Sequence, residues 1–259
     1  MNQENLEFLN RTIKFLGFGE STMLNMQLEA EIAKGGPEFD LYTDAFFEHF
    51  IRIEAKLNFI KLEQKDMYVL HHYTATLQYE QDPARNKTRE FHIYKGTGVT
   101  FKEAFNLLDG RAARIDQRNR DEELYRIWAQ LDFEELDQHQ NYKIKFYRFY
   151  DLDKVLEKYP ILEMEAEATR KKLIASLERG NKYLVTFNTA KPEPKYIEAN
   201  PADRTIRIYA PSPANSKKRN PEERRPATKR VSKAASGPAK EKPVEDQELS
   251  EETFLASGK

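Results

Sequence analysis

The chain has 259 residues, of which 39% are hydrophobic and 33% charged, with a formal net charge of −1 and no cysteine. That length fits one large domain or two of roughly 100–130 residues. The missing cysteine excludes disulfides, thiol catalysis and thiolate-held metal, and the near-zero charge excludes a uniformly basic nucleic-acid binder.

The average hides a division. Residues 1–210 carry 29 of the 30 aromatic residues, with 31 Lys+Arg against 35 Asp+Glu, net −4. Residues 217–242 are net +7, and residues 243–258 hold five acidic residues and no basic one. The expectation is an α+β body made of two small halves, 1–118 and 119–210. A basic-then-acidic tail at 211–259 lacks the apolar side chains needed to fold and is expected to be disordered. No apolar run approaches the roughly 18 residues of a membrane span, and no basic-flanked apolar leader opens the chain. A cytoplasmic protein without a membrane partner is therefore expected.

Leu6, Leu9, Ile13 and Leu16 recur at helical spacing, and Gly17 and Gly19 stop that helix. Ser21 is placed to cap a second helix carrying Leu24, Leu28 and Ile32, which Gly35, Gly36 and Pro37 end. The period then changes from 3.6 to 2. Ile51, Ile53, Ala55, Leu57 and Phe59 alternate with polar residues, which marks an antiparallel strand with one solvated face. Phe39 and Leu41 suggest a strand before it, and Met67, Val69, His71, Tyr73, Ala75 and Leu77 one after it. Phe91 and Ile93 mark a fourth. Thr100 and Glu103 form a capping box for a short helix ending at Gly110. The charged stretch 111–122 reads as the boundary between the halves. Beyond it come a hairpin (125–133 and 142–146), a helix capped by Asp151 or Asp153, a helix over about 165–179, and three short strands at 183–187, 196–199 and 206–210.

Five features bear on chemistry. Gly96 and Gly98, ahead of the cap Thr100, could present helix N–H groups to an anion. The third Rossmann glycine and the P-loop Gly-Lys-Ser/Thr are both missing, so no cofactor is expected. Asp132, Glu134, Glu135 and Asp137 crowd a strand end, as acid–base or Mg²⁺ carboxylates would. Lys143, Lys145, Tyr147 and Phe149 share one strand face, where cations and rings would suit single-stranded nucleic acid. Lys217, Lys218, Arg219, Arg224, Arg225, Lys229, Arg230 and Lys233 form a polycation suited to DNA or RNA backbones. His71 and His72 are adjacent in a strand, which should point them to opposite faces, so no metal site is expected.

Several motifs carry a resemblance. They are Lys95-Gly-x-Gly-x-Thr100-x-Lys-Glu-Ala-Phe-Asn-Leu-Leu-x-Gly-Arg111, Asp66-Met67-Tyr68 before Tyr73-x-Ala75-Thr76-Leu77, and Leu156-x-Lys158-Tyr159-Pro160-Ile161. Gly180-Asn181, Val185-Thr186-Phe187 and Ile197-Glu198-Ala199-Asn200-Pro201 complete the set. Together, over residues 5–210, they resemble an uncharacterised family of Bacteroidetes proteins carried on conjugative transposons and related mobile elements. The chain departs from the family's usual ending at Ala202 and Asp203. The resemblance implies an accessory protein with mobile-element partners and names no catalytic residue.

The expectation is a non-enzymatic accessory or interaction protein that touches DNA through its tail. Two alternatives stand beside it. One is an enzyme acting on nucleic acid or nucleotide through the turn at 96–100 and the 132–137 carboxylates. The other is a protein-binding module with no nucleic-acid role.

Overall fold

The structure, a computed structural model, describes residues 2–19, 22–48, 50–62 and 65–211. The expected disordered tail, with its eight basic residues from Lys217 to Lys233, lies outside the described residues, as does the expected cap Ser21.

The described residues form an α+β body with five helices and ten strands in three antiparallel sheets. Helix α1 (Gln3–Phe15) buries Leu6, Leu9 and Ile13, and the Asn2 side chain accepts from the Asn5 N–H to cap it. Helix α2 (Thr22–Lys34) buries Leu24, Leu28 and Ile32. Strands β1 (Glu38–Glu48), β2 (Ile51–Lys61), β3 (Tyr68–Tyr79) and β4 (Lys87–His92) form a meander in chain order. In β2 the expected alternation holds: Ile53, Ala55, Leu57 and Phe59 are buried.

In β3 it does not. Tyr68 and Leu70 are buried, and then Tyr73, Ala75, Leu77 and Tyr79. The parity changes because Asn58 of β2 faces His72 while its neighbour Phe59 faces Leu70. His71 is therefore an extra residue, a β-bulge. Val69 and His71 do not share the inner face, because the larger Tyr68 and Leu70 take it.

Helix α3 (Phe101–Leu108) starts at the capping box: Glu103 donates its N–H to Thr100 Oγ1, and its carboxylate accepts from the Thr100 N–H at 2.9 Å. Phe101 and Phe105 are fully buried, each contributing about 1.5–3 kcal/mol of burial free energy. The charged stretch after it is not a linker. It forms strand β5 (Ala113–Arg118), which pairs with β6 (Leu124–Leu136), which pairs with β7 (Tyr142–Tyr147). Its charged side chains lie on the face opposite Ala113 and Ile115, where Arg114 pairs with Glu178 and Asp116 with Arg126, while Ala113 and Ile115 are buried.

Helices α4 (Leu152–Leu156), capped by Asp151, and α5 (Glu167–Glu178) follow. Strands β8 (Tyr183–Phe187), β9 (Glu193–Asn200) and β10 (Thr205–Tyr209) form the third sheet, in the order β10-β9-β8.

Two apolar cores run through this body, and the middle sheet contributes to both. Ala113, Ile115, Ala129 and Leu131 join α1, α2, α3 and the four-stranded sheet in one core. Ala112 and Trp128, one residue out of phase, join α4, α5 and the third sheet in the other. Period-two alternation thus commits opposite faces of one hairpin to separate cores. The expected division at 118/119 falls in the turn of that hairpin.

Candidate functional site

The glycine turn is built for packing. The chain folds back tightly, with Tyr94 and Thr97 exchanging two backbone hydrogen bonds of 2.9 and 3.0 Å. Gly96 has φ +76°, open to glycine without strain. A Cβ on Gly98 would lie 2.9 Å from the His92 carbonyl oxygen. Two donors of the α3 N-terminus are used internally. The Phe101 N–H donates to Leu16 O at 2.7 Å, and that of Glu103 to Thr100.

The charged face of β7 meets the acidic cluster. Lys143 pairs with Glu135 at 2.7 Å, and Lys145 with the largely buried Asp132 at 2.6 Å. The Lys145 ammonium holds the Asp132 carboxyl below its ordinary value. Asp137 accepts from the N–H groups of His139 and Asn141, ordering the hairpin turn. The expected ring platform is not continuous. β7 ends at Tyr147, which packs against the second core, and Phe149, 83% exposed, lies beyond the strand.

The histidines behave otherwise than their adjacency suggests. The bulge turns His71 and His72 to the same outer face, with Nδ1 atoms 3.0 Å apart. Across the ladder His72 faces His92 of β4. One nitrogen from each of the three rings lies within 4.8 Å of the others. Glu90, two residues before His92, reaches both: its carboxylate is 3.4 Å from His72 Nε2 and 3.3 Å from His92 Nε2. His72 is half-buried and the other two rings are exposed. Burial lowers the His72 imidazole below its ordinary value; Glu90 opposes this, and His71 and His92 add to it. The premise that neighbouring strand residues diverge fails here, because a bulge suspends the period of two. From Tyr73 onward the apolar residues keep to odd positions, but Met67, Tyr68, Val69 and Leu70 are apolar at both parities, so the sequence did not mark the change of phase.

His92 and Glu90 also border a cleft of about 330 Å³ beside the β4 edge. Arg89, Gly98, Asp116 and Arg118 line its walls. The glycine turn, two carboxylates and two guanidiniums therefore share one concavity. The carboxylates are Glu90 and Asp116, not the 132–137 group. Among the described residues no helix is long and apolar enough to cross a membrane. Comparison with protein-family models, curated proteins and solved structures finds no match to this chain.

Proposed function

We propose that this chain is a non-enzymatic accessory protein of a mobile genetic element that contacts nucleic-acid backbones through the basic run at 217–233. The observation that carries this reading is the pairing of Lys143 with Glu135 and of Lys145 with Asp132. It neutralises the strand that competed with the tail for phosphate, on a body that is net −4. The tail's cations, at net +7 over 217–242, are left to supply the attraction. Such an arm binds by releasing counterions and without reading sequence. The mobile-element setting rests on the motifs spread over residues 5–210, and proteins of that element are the partners it suggests.

A salt titration on duplex DNA tests the reading. With about five phosphate contacts the log–log slope should be near −4 to −5, from roughly −0.9 per neutralised phosphate. Replacing the eight basic residues between Lys217 and Lys233 by glutamine in the full chain should remove most affinity at low salt. Undiminished binding by that variant refutes the proposal.

A second reading, an enzyme acting on a nucleotide, has one observation in its favour: Gly98 shares its cleft with Glu90, Asp116, Arg89 and Arg118. Guanidiniums suit phosphate and carboxylates suit acid–base work. Equilibrium binding of nucleoside phosphates to the parent and to Arg118→Ala separates the two readings. No saturable binding by the parent removes the enzyme.

A further inference from the structure

We infer that the outer face of β3 and β4 holds a first-row transition-metal ion of the Zn²⁺ type on His71, His72 and His92, with Glu90 orienting the rings. The inference is independent of nucleic-acid binding by the tail and rests on residues separate from it.

Four observations converge. The bulge at His71 places two consecutive imidazoles side by side, which a regular strand forbids. The ladder then sets a third imidazole directly opposite His72. The 3.0 Å between the Nδ1 atoms of His71 and His72 is close to the roughly 3.3 Å between two nitrogens sharing a tetrahedral ion at about 2.0–2.1 Å. Finally, both Glu90 oxygens face ring nitrogens: His72 turns Nδ1 toward His71 and Nε2 toward the carboxylate. Imidazole ligands that give their second N–H to a carboxylate are the usual arrangement around protein-bound zinc.

The ligand set narrows the ion. Three neutral imidazoles suit Zn²⁺, Cu²⁺ and Ni²⁺, whereas Mg²⁺ and Ca²⁺ take oxygen. Three protein ligands on an open surface leave a fourth position to solvent, the pattern of reactive rather than closed structural zinc sites. A shared proton between His71 and His72 would also relieve their facing lone pairs. It would leave the approach of His92 and the double engagement of Glu90 as coincidence.

The experiment uses untagged full-length protein, equilibrium dialysis against Zn²⁺ with metal analysis, and Co²⁺ as an optical probe. One equivalent per chain is expected, with visible Co²⁺ bands of low-coordinate nitrogen ligation. His72→Ala and His92→Ala should each lose that equivalent, and His139→Ala should retain it. Glu90→Gln should weaken binding about 10- to 100-fold, the range for loss of a partner that orients a ligand. Circular dichroism of each metal-free variant checks that the fold is kept, and His92→Gln replaces any variant that fails it. Binding that survives His72→Ala, or that falls equally with His139→Ala, marks an adventitious surface ion and overturns the inference. So does a stoichiometry near zero.

Discussion

Asn5 and Tyr68 exchange two hydrogen bonds of 2.8 Å: the Asn5 side-chain amide donates to the Tyr68 carbonyl, and its oxygen accepts from the Tyr68 N–H. A helix side chain thus pairs with the backbone at the start of β3 as a neighbouring strand would. Both groups are buried. Asn5→Ala would orphan a buried N–H and C=O together, at about 1–3 kcal/mol each. A loss of about 2–4 kcal/mol is expected in urea unfolding, with an unchanged m-value. A loss below 1 kcal/mol would mean that water replaces the amide.

Gly180 ends α5 with φ +82°, and a Cβ there would meet the Ala112 carbonyl oxygen at 2.7 Å and Asn106 Cβ at 3.0 Å. The neighbours cannot yield cheaply. Asn106 donates to Arg179 O and to Asn181, which donates to Ser176, all within the buried region between α3 and α5. Left-handed strain of about 1–2 kcal/mol and overpacking of about 1–3 kcal/mol act together in Gly180→Ala. Thermal unfolding should show a loss of at least about 2 kcal/mol. Parent-like stability would show that the joint between the helices is soft.

Glu103 gives a pH dependence. Burial raises its carboxyl above the ordinary 4.5, against the opposing hydrogen bonds from Thr100. A raised folded value means that this group's contribution is complete below pH 4.5, where both states are protonated. It is lost as pH rises through the folded value. Glutamine is neutral throughout and can still accept from the Thr100 N–H. Glu103→Gln should therefore gain stability over the parent at pH 7 and none at pH 4. A gain that is larger at pH 4 contradicts the sign.

Nucleic-acid binding should be indifferent to the β7 rings. Tyr147 is taken up by the core, and Phe149 stands outside the strand. Tyr147→Ala with Phe149→Ala should leave single-strand affinity within a factor of two. Loss of about 1–3 kcal/mol per stacked base would restore the strand as a contact surface.

Much of the fold was legible because local chemistry and tertiary demand agree. Thr100 and Glu103 form their capping box, Asp151 caps α4, and Ile53 to Phe59 alternate as a half-buried strand must. β5 was not legible, since Arg114, Asp116 and Arg118 look like a charged linker until Glu178 and Arg126 arrive from elsewhere in the chain. The pairing of Glu135 with Lys143 and of Asp132 with Lys145 lay within reach of the expected hairpin, once its register set Asp132 opposite Lys143. The histidine cluster was hidden by a rule of period two that one extra residue suspends.

That extra residue has a genetic consequence. A single-residue deletion in a strand normally turns every following side chain to the wrong face. In β3 the deletion of His71 would do the reverse. Leu70 and His72 would then follow one another opposite Phe59 and Asn58, and inner and outer residues would alternate without a break from Tyr68 to Tyr79. A loss of three nucleotides would mend the ladder and dissolve the trio of imidazoles in the same event. The histidine cluster thus sits one codon away from an unremarkable sheet, and lineages could gain or shed it without rebuilding the fold beneath.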